Sequence, residues 1–195
     1  KQSALVLFAS KGYEATTTRD IVKNAGSSLS MLDFHFGSKE NIYKEVINDI
    51  LKVFIFDNID LFGEMVNKRS DHRLSKDDAW YYIEKLTDVL VNRVTNKDNY
   101  YSTMLLNKEL QRKDSFKVDL EPVLMYVYHY QMLFEEYADV DYGSSWARLL
   151  SVKTFTSMFN LFTYPTMIEP FKELSNFLLK EEINVLKERI EIQTN

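Results

Sequence analysis

Glycine is scarce in this chain, and three of its 5 copies fall within the first 37 residues, at Gly12, Gly26 and Gly37. Each follows a short segment with helical spacing. Ala4, Leu5, Leu7 and Phe8 form an apolar stripe that runs into Lys11-Gly12. A cation in the last turn followed by glycine is a helix stop: the cation suits the negative helix end and glycine accepts a left-handed backbone. Thr17 followed by Asp20 has the form of a capping box, with Asp in place of Glu or Gln. Ile21, Val22 and Ala25 supply the buried face before Gly26. Ser27 or Ser28 can cap a third helix over residues 29–36, and Ser38 a fourth. The fourth keeps i, i+3, i+4 spacing through Ile42, Tyr43, Val46, Ile47, Ile50, Leu51 and Phe54. Helices of about eight residues do not hold alone, so the second and third must pack on the first and on the long fourth. Helix, glycine turn, helix is the helix-turn-helix pattern, although spacing alone leaves an arbitrary all-α bundle open.

The rest of the chain also points to an all-α fold. With 5 Gly and 3 Pro in 195 residues, long helices are favoured over a turn-rich β architecture. At 45% hydrophobic and 27% charged residues the composition is that of a globular protein, not a disordered one. Cys is absent, which removes disulfides, thiolate metal sites and Cys nucleophiles. No run of 18 apolar residues occurs, so no transmembrane helix and no membrane partner are expected. Lys1 in place of Met points to a trimmed chain. The net charge of -5 argues against a general nucleic-acid binder, and the imbalance between residues 1–52 (+1) and 53–195 (-6) decides nothing alone.

Residues 58–74 read as an exposed connection, with Asn67, Lys68, Arg69, Asp71 and His72 polar. Ser75 with Asp78 can cap a helix to about Val94, 96–99 is a turn, and 100–112 is helical before a break at Lys113-Asp114-Ser115. A helix opening at Asp119 or Glu121-Pro122 runs to about Ala138. Another runs from Gly143-Ser144 to about Thr163, and after Pro165 and Pro170 a last one reaches about Ile192.

The N-terminal segment resembles the tetracycline-repressor (TetR) family of transcriptional regulators. The residues that carry the resemblance are Leu7-Phe8-Ala9-Ser10-Lys11-Gly12-Tyr13, Thr16-Thr17-Thr18-Arg19-Asp20-Ile21-Val22, Ala25-Gly26 and His35-Phe36-Gly37-Ser38-Lys39-Glu40-Asn41-Ile42, about a quarter of the chain. The resemblance implies a helix-turn-helix DNA-binding domain over residues 1–47 and an effector-binding and dimerisation domain over 48–195. It implies a cytoplasmic homodimer joined through the last two long helices, bound to a palindromic double-stranded operator, repressing transcription and released by a small molecule. The implied DNA-facing residues are Thr17, Thr18, Arg19, Ser28, Leu29, Ser30, Met31, Asp33, Phe34, His35 and Lys39. Thr17 and Thr18 offer hydroxyls and free N–H groups to a phosphate at a positive helix end, and Lys39 a point charge. Phe8, Ile21, Ala25, Leu32, Phe36 and Ile42 are expected in the core of the small domain.

Asp33 departs from the family pattern, which has Tyr there, and Ser27, Leu29 and Ser30 replace an apolar residue, a cation and Gly or Ala. Together these remove a cation and add an anion. Asp33 either accepts from a cytosine N4 amine, pairs with Arg19 or Lys23, or weakens DNA binding. The last account keeps an alternative open, a helix-turn-helix protein acting through a protein partner. A basic arm preceding helix one, common in the family, would supply missing positive charge.

Aromatic residues are abundant, with 12 Tyr, 13 Phe and 2 Trp. They serve a core and a dimer face, or an aromatic-lined effector pocket. The stretch from Val123 to Phe134 leaves no polar face, so that helix is expected to be central, and His129 and Gln131 within it each need a partner. The effector candidates are His129, Gln131, Tyr126, Tyr130, Asn107 and Tyr82, with Glu109 and Thr154 weaker. The helix over 144–163 is apolar on more than one face, one for the protomer and one for a partner. No GxGxxG, P-loop, HExxH or GxSxG occurs. His35, His72 and His129 are far apart, and Glu135-Glu136 and Glu181-Glu182 read as solvated faces. No enzyme activity, cofactor or metal is expected.

Overall fold

The computed structural model describes residues 1–56, 58–69, 72–112 and 118–161, with Val185 and Glu188. Among them every regular element is helical. They are α1 (Gln2–Lys11), α2 (Thr18–Ala25), α3 (Leu29–Phe36), α4 (Lys39–Phe56), α5 (Ile59–Arg69), α6 (Lys76–Thr95), a 3₁₀ turn (Lys97–Asn99), α7 (Tyr100–Leu110), α8 (Glu121–Ala138) and α9 (Ser145–Leu161). The expected last helix, over about 171–192, and the break at 113–115 lie outside the described residues. No helix among the described residues is long and apolar enough to cross a membrane.

The chain forms two compact units, Lys1–Phe54 with Lys97–Leu120, and Ile55–Asn96 with Glu121–Asn195. In the first, α1 packs against α2 and α7, and α2 against α3. Ala4, Leu7, Phe8, Ile21, Val22 and Leu32 are buried with Ile42, Tyr43, Val46, Ile47, Ile50 and Leu51, so the spacing read in the fourth helix is the spacing that packs. Phe8, Tyr13 and Tyr43 form a trio of rings with centroids 5.0–5.8 Å apart. Ala25 is exposed and Phe36 half-buried, contrary to the expected core. Both stand in the last turn of an eight-residue helix, where little of the facing element remains to cover them.

Segment 97–120 joins this first unit, although the sequence reading cut the chain once, at 47/48. Leu105 and Leu106 of α7 are buried. Lys108 Nζ donates to the Ala9 carbonyl at 2.5 Å, near the C-terminal end of α1, where a cation belongs. Glu109 is buried, and the Tyr43 hydroxyl donates to its Oε2 at 2.8 Å. Burial and this carboxylate both push the Tyr43 phenol well above its ordinary range.

The second unit packs α8 against α6 and α9. Its core includes Ile83, Leu86, Leu90, Tyr130, Leu133, Phe134 and Tyr137. Residues 58–74 are not an exposed connection: α5 occupies 59–69 and buries Phe62 and Met65. Gly63 interrupts the apolar spacing and the polar run 67–72 follows it, which hid a helix from the pattern.

α8 is central, as its composition predicts, packing against both α6 and α9, but its individual positions do not all follow that pattern. Its apolar Tyr128 is 61% exposed, whereas Glu135 and Glu136, read as a solvated face, are each 3% exposed. Glu135 Oε1 accepts from Gln131 Nε2 (2.9 Å) and from the backbone N–H groups of Gly143 (2.9 Å) and Ser144 (3.0 Å), fixing the turn that leads into α9. Glu136 accepts from Arg69 Nε (2.8 Å), the buried Leu74 N–H (3.1 Å) and the Tyr142 hydroxyl (2.5 Å). The Tyr142 ring lies under the guanidinium groups of Arg69 (5.0 Å) and Arg73 (4.6 Å). A buried carboxylate is tolerated when its lone pairs are this fully used.

Glu136→Ala leaves the Leu74 N–H without its acceptor and Arg69 without its partner. We expect a loss of about 3 kcal/mol, read as a lower urea midpoint in the fluorescence of Trp80, whose ring lies 5.5 Å from Tyr137.

Candidate nucleic-acid interface

α2 begins with a complete capping box. Thr17 Oγ1 accepts from the Asp20 N–H (3.1 Å) and donates to Asp20 Oδ2 (2.8 Å), while that carboxylate accepts from the Thr17 N–H (3.1 Å). The Thr17 hydroxyl first, and its backbone N–H second, hold the Asp20 carboxyl below the usual range. The helix ends at Gly26, whose φ of 61° and ψ of 33° are left-handed, which glycine adopts without a Cβ penalty. The turn closes with Ser27 N–H to the Val22 carbonyl at 2.9 Å. Ser28 then caps α3, its Oγ accepting from the Met31 N–H at 3.2 Å. Gly37 ends α3 at a φ of 71°. Ser38 caps α4, and Asn41 Nδ2 donates back to the Phe36 carbonyl at 2.9 Å.

Between these two glycines α3 is anchored by Leu32, its one buried residue. Leu29, Ser30, Met31, Asp33, Phe34 and His35 are all exposed, Phe34 at 83%. The His35 ring stands edge-on to Phe34, centroids 5.1 Å apart. A helix seated by the buried Leu32 and the half-buried Phe36, with its other side chains turned to water, is built to present a surface.

The flanking groups divide into engaged and available. The Thr17 hydroxyl is used by Asp20. Lys39 Nζ donates to the Tyr13 carbonyl at 3.0 Å and sits 4.0 Å from that ring's centroid, which holds the charge inward. Arg19 and Lys23 are exposed, and Thr18 is half-buried. Among the described residues Asp33 makes no ion pair, so the expected pairing with Arg19 or Lys23 is not formed. Solvated charges gain little from such a pair. Thr16 was missed by the sequence reading: its buried hydroxyl donates to the carbonyls of Gly12 (2.7 Å) and Leu7 (3.2 Å), tying the loop after α1 to that helix. Its place before a capping Thr gave no separate signal.

Of the effector candidates, Tyr82, Tyr126, His129, Tyr130 and Gln131 lie in the second unit and Asn107 in the first. Asn107 Oδ1 accepts from Gln111 Nε2 at 3.1 Å. Glu109, also in the first unit, is engaged with Tyr43 as described. The Tyr82 hydroxyl donates to Glu64 Oε1 at 3.1 Å, and burial first, then Glu64, push its phenol up to about 12. Tyr126 accepts a hydrogen bond from Asn58 Nδ2, and Tyr130 meets the Thr87 hydroxyl at 3.0 Å. Gln131 is satisfied by Glu135. Thr154 Oγ1 is buried with no hydrogen-bond partner among the described residues. Phe62 joins two of the candidates, 5.9 Å from Tyr126 and stacked on His129 at 4.2 Å. His129 Nδ1 lies 2.6 Å from the Met125 carbonyl, which can only accept, so Nδ1 carries the proton and neutral His129 keeps Nε2 as an acceptor. Among the described residues no group of three or more His, Asp or Glu is placed to hold a metal ion.

Burial lowers the His129 pKa below its ordinary 6.5. A depressed histidine favours the folded state above the unfolded pKa and loses that contribution as pH falls. Stability of the native chain is therefore expected to drop as pH falls below about 6.5. His129→Gln is expected to lose less over the same window, as compared by denaturation midpoints.

The family model for bacterial regulatory proteins of the tetR family matches residues 2–46. Over 42 residues, 22% of this chain and 22% of the relative, the chain is 50% identical to the HTH-type transcriptional regulator QacR of Staphylococcus aureus. It is 46% identical over 50 residues, 26% and 24% of the two chains, to the HTH-type transcriptional repressor KstR2 of Mycolicibacterium smegmatis. It is 36% identical over 53 residues, 27% and 29%, to the biofilm operon icaADBC HTH-type negative transcriptional regulator IcaR of Staphylococcus epidermidis. The matches thus span about a quarter of the length of these relatives. The family-model match falls on α1, α2, α3 and the start of α4, and residues 2–46 are a tetR-family helix-turn-helix domain.

Proposed function

We propose that the chain is a DNA-binding transcriptional regulator that works as a homodimer on a palindromic duplex operator, represses, and lets go when a small molecule enters its second unit. The observation that carries this reading is α3, seated between Gly26 and Gly37 by the buried Leu32 and the half-buried Phe36 and exposed at its other positions, inside a tetR-family domain. Residues 1–47 would bind DNA and residues 48–195 the effector and the second protomer. Arg19 and Lys23 can take phosphates, which fix register, while α3 meets base edges. Two similar proteins are named a repressor and a negative regulator, which supports the sign. On α9, Leu149 is 71% exposed, an apolar group suited to a partner helix and, with the default twofold symmetry, to a second copy. The Thr154 hydroxyl, without a hydrogen-bond partner among the described residues, and the acceptor Nε2 of His129 support a polar anchor for an effector.

A second reading, weakened operator binding with action through a protein partner, is favoured by Asp33, an exposed carboxylate on the presenting helix. The two separate by salt dependence. The two exposed cations of α2, Arg19 and Lys23, counted in both protomers, give a log-affinity against log-salt slope of about −4 for the dimer. A fluorescence anisotropy titration on duplex DNA checks it, and a flat response favours the partner reading. Asp33→Tyr is expected to tighten non-specific duplex binding about fivefold per protomer, from relief of about 1 kcal/mol of phosphate repulsion. Equal or weaker binding in the same assay refutes that role for the carboxylate.

A further inference from the structure

We propose that α3 reads its site through the 5-methyl groups of thymine, with Phe34 as the central contact and Met31 beside it. The inference rests on the DNA-binding reading above.

Helical geometry selects Phe34. Leu32 is buried and Phe36 half-buried, so they define the inward side of α3. On a helix with 3.6 residues per turn, the residue between them in sequence points to the opposite side. Phe34 is accordingly the most exposed large apolar residue among the described residues, at 83%. Met31 and Ser30, three and four positions earlier, lie on the same side one turn back. Met31 is 50% exposed. Its backbone N–H is bound by the Ser28 Oγ, which fixes the start of the helix, and the His35 ring packs edge-on against Phe34.

Chemistry then selects the base. Residues 27–38 contain no Lys and no Arg. The commonest specific contact, a cation to guanine O6 and N7, is therefore not available from α3. The outward stripe is a small hydroxyl, a thioether and a phenyl ring. The major groove offers one apolar feature to such a stripe, the thymine methyl, whose contact with apolar side chains discriminates among base pairs. The charges that hold phosphates lie outside the helix, on Arg19 and Lys23 of α2. Position and readout are thus divided between the two helices.

The experiment is a selection of bound duplexes from a random library, followed by titration of the enriched duplex with each thymidine replaced in turn by 2′-deoxyuridine, which deletes only the 5-methyl group. The native protein is expected to lose about fourfold per contacted thymine, hence about sixteenfold across two half-sites. Phe34→Ala, at a position too exposed to hold the fold, is expected to bind the selected duplex more weakly and to lose most of its discrimination between the two pyrimidines. Its salt slope should match that of the native chain. Native binding that retains its salt slope but treats deoxyuridine and thymidine alike overturns the inference and leaves the DNA-binding reading standing. An unchanged methyl preference in Phe34→Ala overturns the assignment to Phe34. The absence of salt-dependent binding to any duplex removes the DNA-binding reading, and the inference with it.

Discussion

Two helices of eight residues cannot stand in water on their own hydrogen bonds. Nucleation fixes several dihedrals for each early bond, and α2 and α3 are too short to recover that by propagation. Their existence depends on apolar burial from neighbours. Ile21 and Val22 hold α2, Leu32 holds α3, and α2 packs against both α1 and α3. What burial leaves short, the ends supply. The Thr17–Asp20 box, the Ser28 and Ser38 caps, and the left-handed Gly26 satisfy backbone groups that a long helix would satisfy internally. Economy of anchoring has a consequence for function. Because only Leu32 and, in part, Phe36 seat α3, six of its eight residues are free to meet something else.

Buried carboxylates organise what lies beyond these helices. Glu109 receives the Tyr43 hydroxyl inside the first unit, next to the ring trio of Phe8, Tyr13 and Tyr43. Glu135 and Glu136 do comparable work at the end of α8, one gathering the backbone of the turn before α9, the other Arg69, Leu74 and Tyr142. In each case a charge normally kept in water is surrounded by donors, so removal of one partner costs more than the pair itself contributes. These are specifying contacts, and they fix turns that apolar packing alone would leave loosely defined.

The elements that could be read from the residues are those with local punctuation. α2, α3 and the start of α4 were legible because Thr17, Ser28, Gly26 and Gly37 act within one turn of themselves, and α6 because Ser75 caps it, accepting from the Asp78 N–H at 3.1 Å. What failed was whatever depended on partners distant in sequence. The burial of Glu135 and Glu136 rests on Gly143, Ser144, Arg69 and Leu74, and a pair of adjacent carboxylates looks solvated until those donors are placed. α7 belongs with the first unit through Leu105, Leu106 and Lys108, which no periodicity announces. The residues expected to face DNA are legible as helices and turns and not as contacts: Lys39 reads as a free cation, yet its ammonium is held by Tyr13.

The capping box also bears on how this domain can treat a phosphate. A helix N-terminus attracts anions through its free N–H groups and the positive end of its dipole. In α2 a resident anion, Asp20, already occupies that position and uses the Thr17 N–H and hydroxyl. The feature that makes α2 stable therefore withdraws part of what would grip the DNA backbone. The remaining attraction falls to side-chain cations outside residues 27–38, such as the exposed Arg19 and Lys23 of α2. A presenting helix without cations cannot hold a duplex by charge. It can only discriminate once charge elsewhere has brought it close, which is why an apolar ring at its outermost point is compatible with its task.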